Sequence, residues 1–248
     1  MNTKSEYTVV ILAGGLGTRL QEVVGNVPKP LASVRGRPFL EYLLSYWINN
    51  NAYRFILSVG YKHQQIMNHF GSSFNGIPVT YVIEDEPLGT GGALLKVLDE
   101  NNLEDDFFLV NGDTLFLIDS ERMNELHIST EANLSLSLRQ VDNAGRYHRI
   151  YLNDAGKIIA MARPDYKAES GQINGGIYIV NPETFSGWSN TGNKSISLEN
   201  DILPRIISTH NIYGFHDDGD FIDIGVPDDF YKAQKYLSDE LLSRTGAQ

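Results

Sequence analysis

The stretch Thr8-Val9-Val10-Ile11-Leu12-Ala13-Gly14-Gly15-Leu16-Gly17-Thr18-Arg19-Leu20 decides the reading of this chain. Its first five residues are β-branched or aliphatic and predict a strand over Thr8–Leu12. The three glycines that follow lack the Cβ atoms that would keep backbone N–H groups away from a polyphosphate. Arg19 can add a two-pronged guanidinium contact to phosphate oxygens. Two familiar meanings fail on spacing. The dinucleotide fingerprint GxGxxG needs glycine where Leu20 stands, and the P-loop GxxxxGK[ST] has no match in the segment. A phosphate cradle and an ordinary tight strand-to-helix turn remain as the two readings.

Outward from the loop, further strands are predicted at Arg54–Val59, Val79–Ile83 and Phe107–Val110, with helices at Phe39–Ile48, Lys62–Phe70 and Gly91–Glu100 between them. In the first helix Phe39, Leu40, Leu43, Leu44 and Trp47 paint one face. This alternation predicts an α/β fold with a mixed, mostly parallel central sheet flanked by helices. The second half reads as a mixed or antiparallel extension, with strands at Leu134–Arg139, Arg149–Leu152, Ile158–Ala162 and Ile173–Val180 and little helix between them. Helices return at Leu198–Ser208, interrupted at Leu203-Pro204, and at Asp228–Leu242 with Pro227 in the first turn. We expect one domain over residues 1–248, with a nucleotide half at about 1–115 and a second half at about 116–248.

Composition narrows the chemistry. At 248 residues, 42% hydrophobic and 21% charged, the chain can bury a core without disulfides. It has no cysteine, which excludes thiolate metal sites, iron–sulfur clusters and cysteine nucleophiles. A net charge of −11 speaks against nucleic acid or anionic membrane as partner. No stretch approaches the roughly 18 apolar residues of a membrane span, and the start of the chain lacks signal-peptide flanks, so a cytoplasmic location is expected. A homo-oligomer is compatible with the sequence, and nothing in it sets the order.

Other segments carry candidate chemistry. In Val27-Pro28-Lys29-Pro30-Leu31 two prolines fix the backbone around a lysine, which suits a cation that must be pre-aimed. Glu84-Asp85-Glu86-Pro87-Leu88-Gly89-Thr90-Gly91-Gly92-Ala93 ends one strand and opens a helix. Asn111-Gly112-Asp113-Thr114 closes a buried strand, and Phe221-Ile222-Asp223-Ile224-Gly225-Val226-Pro227 sets a second aspartate among apolar neighbours. Asn174, in Ile173-Asn174-Gly175-Gly176-Ile177-Tyr178, offers both donor and acceptor and suits a vicinal diol.

Taken together, these segments resemble the sugar-1-phosphate nucleotidyltransferase family from Val9 to Tyr236, whose opening pattern is a strand, a GGxGxRL loop and a PKP element. The resemblance implies a Rossmann-like nucleotide-diphospho-sugar transferase fold and the transfer of a nucleotide from a triphosphate to a sugar 1-phosphate. It assigns catalytic roles to Arg19 and Lys29, and Mg2+ binding to Asp113 and Asp223. It places the nucleotide against Leu12, Ala13, Gly14, Gly15, Gly17, Thr18, Glu84, Pro87, Gly89, Thr90 and Gly112, with backbone approach by the glycines of 89–92 to base or ribose. On the sugar side it points to Asn174 and Gly175. Family members carry a Glu-Lys-Pro element where this chain has Ala162-Arg163-Pro164. Arg163 or Lys167 then stands in for the phosphate-binding lysine, and Glu199 for the missing glutamate.

The residue at position 84 bears on the base. Guanine offers adjacent N1–H and N2–H donors that a carboxylate accepts, whereas uracil flanks N3–H with carbonyl oxygens that a carboxylate repels. GTP is therefore favoured over UTP. The IEDEPLGTGGAL, VNGDT, INGGIYIV and FIDIGVPDDF segments most resemble guanylyltransferases acting on D-glycero-α-D-manno-heptose 1-phosphate, which serve surface polysaccharide synthesis. Mannose-1-phosphate guanylyltransferases and uridylyl- or cytidylyltransferases for other hexose phosphates are the alternatives. A non-catalytic relative would be expected to have lost Arg19, Lys29, Asp113 or Asp223, and all four are present.

Overall fold

Val9, Val10 and Ile11 are fully buried in the first strand, as an apolar run between two helical layers requires. The computed structural model describes residues 5–167, 170–190 and 195–238. In chain order the first elements are β1 (Tyr7–Ala13), α1 (Gln21–Val24), β2 (Ser33–Val34), β3 (Arg37–Pro38), α2 (Phe39–Asn49), β4 (Ala52–Val59), α3 (His63–Phe70), β5 (Ser73–Phe74) and β6 (Ile77–Ile83). Then come α4 (Gly89–Glu100), β7 (Phe107–Asn111), β8 (Thr114–Phe116), α5 (Ser120–Ser129), β9 (Leu134–Val141), β10 (Arg149–Leu152), β11 (Ile158–Ala162) and β12 (Gly171–Val180). A π-helical turn (Leu198–Ile202), α6 (Leu203–Ile206), β13 (Ile212–His216), β14 (Phe221–Asp223) and α7 (Pro227–Tyr236) complete the order.

The chain forms two compact units that interleave along the sequence. The first comprises the described parts of Met1–Pro87, Leu109–Leu117 and Asp220–Gln248, and the second comprises those of Leu88–Phe108 and Ile118–Gly219. In the first unit β1 pairs in parallel with β4, and β4 in parallel with β6. Parallel pairing sends the carboxyl ends of these strands to one edge, where loops 14–19, 60–62 and 84–87 emerge together. Helix α2 follows Pro38, which cannot donate a hydrogen bond backwards, and it buries Phe39, Leu40, Leu43, Leu44 and Trp47 as the periodicity predicts. Two short strands complete the unit. β14 pairs antiparallel with β8, setting Asp223 opposite Thr114, and Phe116 meets Phe221 edge-to-face at 5.5 Å.

The second unit is the mixed extension. β9 pairs antiparallel with β12 and parallel with β13, β10 pairs antiparallel with both β11 and β12, and Lys157 bridges to Tyr213. Its one long helix outside the predicted set is α5. Asp119 caps it by accepting the Arg122 N–H at 3.1 Å, and its buried residues Ser120, Met123 and His127 make a stripe too polar to read as apolar periodicity. The interruption at Leu203-Pro204 is present as the change from π-helical turn to α6. Helix α7 has Pro227 in its first turn, as predicted, and ends at Tyr236 because Leu237 is extended; residues 239–242 of the predicted span lie outside the described residues. Among the described residues no helix is long and apolar enough to cross a membrane.

Candidate active site

The loop after β1 closes on itself. Gly17 takes a left-handed φ of 60°, and a Cβ there would come within 2.9 Å of the Lys29 Cβ. Its carbonyl accepts the Leu20 N–H at 2.9 Å, and the buried Leu20 anchors the exit of the loop. Gly14 lies directly beneath the Glu84 carboxylate, so a Cβ would collide with that group. The glycines thus have separate reasons. Gly14 admits Glu84, Gly17 makes the turn, and Gly15 faces open space. Arg19 and Thr18 are exposed beside it. Leu12 and Ala13 form the strand end beneath, where the Leu12 carbonyl accepts the Gly112 N–H at 2.9 Å.

Glu84 is 8% exposed. Its backbone N–H donates to the Val59 carbonyl at 2.7 Å, and its Oε1 accepts the Ser58 hydroxyl at 2.8 Å. It is a seated acceptor and not a solvated strand-end residue; Asp85, Glu86 and Pro87 are the exposed ones. The glycine contact makes a testable point. Gly14→Ala is expected to unseat Glu84 and to cost about 1–3 kcal/mol of stability, the usual scale of overpacking. In thermal denaturation that lowers Tm by about 2–4 °C per kcal/mol for a chain of this size. An unchanged Tm would mean that Glu84 yields freely.

Lys29 starts a short 3-10 turn between extended Pro28 and buried Pro30. Its ammonium donates to Asp113 Oδ2 at 2.5 Å, with 13% of the lysine side chain and 40% of the aspartate side chain exposed. Partial burial pushes the Asp113 carboxyl upward, but the charge and hydrogen bond of Lys29 outweigh it and hold the group below the usual carboxylate range. Strand pairing brings the second aspartate alongside. Ile224 N–H donates to the Asp113 carbonyl at 2.9 Å, and Asp223 Oδ1 accepts the Gly225 N–H at 2.6 Å. Asp113 directly before β8 and Asp223 on the β14 strand that pairs with it are neighbouring carboxylates, and two such groups suit a divalent cation that completes its shell with phosphate and water. Among the described residues no cluster of three or more histidine, aspartate or glutamate side chains competes as a metal site.

In the second unit the first turn of α4 packs against a later segment of the chain. Gly89, with φ of 72°, and Gly91 are approached by residues 195–202 of the same unit. Gly91 and Gly92 N–H groups donate to the Ile196 carbonyl at 2.8 and 3.1 Å. The physical reason is that the exposed N–H groups of a helix start need acceptors, and a neighbouring carbonyl supplies one. Thr90 is likewise engaged, its hydroxyl donating to Glu199 Oε2 at 2.7 Å.

Glu199 also accepts the Tyr178 hydroxyl at 2.9 Å and the Ser197 hydroxyl at 3.0 Å. Tyr178 in turn accepts from Asn174 Nδ2 at 2.6 Å, and Asn174 Oδ1 accepts the Gly176 N–H at 2.8 Å, beside buried Gly175. Burial and then the Glu199 charge push the Tyr178 hydroxyl well above its ordinary value, so it stays protonated. His148 joins this group through its carbonyl, which accepts the Asn174 N–H at 3.2 Å, and through its ring, 3.1 Å from Asn200 Oδ1. Tyr178, Ser197, Asn200 and His148 carry no sequence signal of this role, since single polar residues form no pattern until the fold gathers their segments around Glu199. Arg163 and Lys167 are exposed beyond the end of β11, and no described contact ties their side chains to Asn174.

Known proteins resemble this chain along its length. The Nucleotidyl transferase family profile matches residues 8–240. A D-glycero-alpha-D-manno-heptose 1-phosphate guanylyltransferase of Aneurinibacillus thermoaerophilus is 43% identical over 228 residues, covering 92% of this chain and 97% of that protein. A protein of the same description from Campylobacter jejuni is 34% identical over 222 residues, covering 90% of this chain and 96% of its own. The crystal structure of HddC from Yersinia pseudotuberculosis complexed with GMP-PN matches with a TM-score of 0.80 at 35% identity, covering 92% of this chain and 98% of that one.

Proposed function

Because the chain belongs to the nucleotidyl transferase family, we propose that it transfers GMP from GTP to a sugar 1-phosphate, D-glycero-α-D-manno-heptose 1-phosphate, giving GDP-heptose and pyrophosphate. The observation that carries the guanylyl reading is Glu84, a buried carboxylate seated over Gly14 at the end of a parallel strand. It accepts the adjacent N1–H and N2–H of guanine. The heptose reading rests on the two guanylyltransferase relatives.

In this reading a phosphate oxygen of the sugar 1-phosphate attacks the α-phosphorus of GTP, the bond to the β-phosphate oxygen breaks, and pyrophosphate leaves. The attacking oxygen is already ionised, so no side chain need act as nucleophile. Gly14, Gly15, Gly17 and Thr18 bring backbone to the phosphates above Leu12, Ala13 and Gly112. Arg19 and Lys29 counter the charge that builds at the reacting centre. Asp113 and Asp223 would hold the cation, Mg2+ by the chemistry of the oxygen donors, and bound there it would neutralise the meeting anions. Holding the reactants in line contributes up to about 7–11 kcal/mol in favourable cases. Asn174 and Gly175 take the sugar hydroxyls, and Arg163 or Lys167 the sugar phosphate. Such an enzyme works in the cytoplasm, where its nucleotide is made.

A matrix of GTP, UTP, CTP and ATP against heptose, mannose and glucose 1-phosphates, with Mg2+ and a pyrophosphate readout, tests the proposal. The expected result is fastest turnover with GTP and heptose 1-phosphate, and at least about 100-fold preference for GTP over UTP, a scale that polar recognition readily reaches. Absence of pyrophosphate in every combination sinks the reading. Preference for mannose 1-phosphate, or for UTP, replaces it with the corresponding relative.

A further inference from the structure

Glu199 already receives three hydroxyl hydrogens, from Thr90, Ser197 and Tyr178. A carboxylate presents about four lone-pair sites, so most of its accepting capacity is engaged within the protein. Each of these hydroxyls has a single hydrogen, and each directs it at Glu199. Tyr178 therefore faces Asn174 only as an acceptor. That forces the Asn174 amide to present Nδ2 to Tyr178, at 2.6 Å, while its Oδ1 takes the Gly176 N–H at 2.8 Å. The flipped amide would set NH2 against the Gly176 N–H and oxygen against an oxygen with no hydrogen to give. One N–H and one lone pair of Asn174 are left, on a fixed side, as a donor and acceptor pair for neighbouring hydroxyls.

We infer that Glu199 is a positioning residue, acting through Tyr178 to lock the Asn174 amide in the one orientation that reads a vicinal diol of the sugar, and that it is not itself the main sugar contact. This rests on the function proposed above, and it replaces direct substitution for a missing glutamate with an indirect role. The raised Tyr178 hydroxyl is consistent with a proton that stays between Tyr178 and Glu199 at any working pH. Ser197 and Thr90 hold the carboxylate in place from the other side. Thr90 also accepts the Leu198 N–H at 2.9 Å, so the first turn of α4 braces the same carboxylate.

Two near-isosteric variants test it, Tyr178→Phe and Glu199→Gln, each checked by thermal denaturation. Both are expected to raise the KM for sugar 1-phosphate by about 10-fold, the scale of one or two lost hydrogen bonds, with kcat and the KM for GTP within about threefold of wild type. In an Asn174→Ala background neither change should raise that KM further, because the residue through which they act is gone. A full additional 10-fold loss from Glu199→Gln in that background overturns the inference in favour of direct contact. The side-chain amide resonance of Asn174 gives a readout independent of turnover. It is expected to shift and to exchange faster with water in both variants, and an unchanged resonance overturns the positioning role. If wild-type protein releases no pyrophosphate, the functional reading fails while the resonance still decides whether Glu199 orients Asn174.

Discussion

Asp113→Asn is expected to lower kcat by about 1,000-fold, roughly 4 kcal/mol, at saturating GTP and sugar phosphate, the upper range for losing one preorganised charged partner at a reacting centre. The amide keeps the size of the carboxylate, and the backbone carbonyl that accepts Ile224 N–H is untouched, so the β8–β14 pairing survives. What is lost is charge. Lys29 then has no anion at 2.5 Å to aim it, and in the proposed reaction the cation would lose one of two carboxylates. Lys29→Met removes the other half of the pair and leaves the Asp113 carboxyl partly buried without its ammonium, so that carboxyl moves upward. The two changes act on one unit, and the double variant is expected to be little worse than the poorer single one. Pyrophosphate release measures all three. An Asp113→Asn enzyme retaining more than a tenth of wild-type kcat would remove Asp113 from the centre.

The same pair has a consequence for stability. A carboxyl held below its ordinary value in the fold adds stability above that value, 3.8, and the contribution is lost as pH falls below it. Wild-type protein should therefore lose more stability between neutral pH and pH 3 than Asp113→Asn does, by a modest amount because the aspartate is partly exposed.

Much of the first unit was legible in the sequence because its signals are local. The apolar run Val9–Ile11 has the composition of a strand buried on both faces, and the glycines that follow mark a turn whatever its ligand. Prolines 28 and 30 announce a fixed lysine, and the structure places that lysine on Asp113. The meeting of Asp113 and Asp223 was legible only through family resemblance. It depends on β8 and β14, three residues each and far apart in the chain, too short to show a period. Glycines 89, 91 and 92 show how far composition reaches. Their lack of side chains signals close approach, but composition does not say what approaches: residues 195–202 come against Gly89 and Gly91, and Asn190 and Leu88 against Gly92. The hydroxyls around Glu199 left no trace in the sequence, since single Thr, Ser and Tyr residues form no pattern until the fold collects them.

Glu84→Gln carries the largest expected effect on specificity. The glutamine fits the same volume over Gly14, and its amide can bond the Ser58 hydroxyl from either end, so the strand end should stay in place. Chemically the change is large. A carboxylate accepts both N1–H and N2–H of guanine, whereas an amide turns one acceptor into a donor that opposes the N2 amine. Losing one charge-assisted bond and weakening the other costs about 3–4 kcal/mol, a fall of about 100- to 1,000-fold in kcat/KM for GTP. Uracil gains, because its N3–H and adjacent carbonyl meet the acceptor and donor of the amide, and kcat/KM for UTP should rise about 10-fold. Competition between the two nucleotides in one reaction, with the product sugars separated, measures the ratio directly. Ser58→Ala serves as the control for mere loosening of the glutamate, and it should lower turnover with both nucleotides alike. A Glu84→Gln enzyme whose GTP-to-UTP ratio stays within about threefold of wild type would mean that the base is read elsewhere. The buried carboxylate would then be a structural acceptor for Ser58 alone.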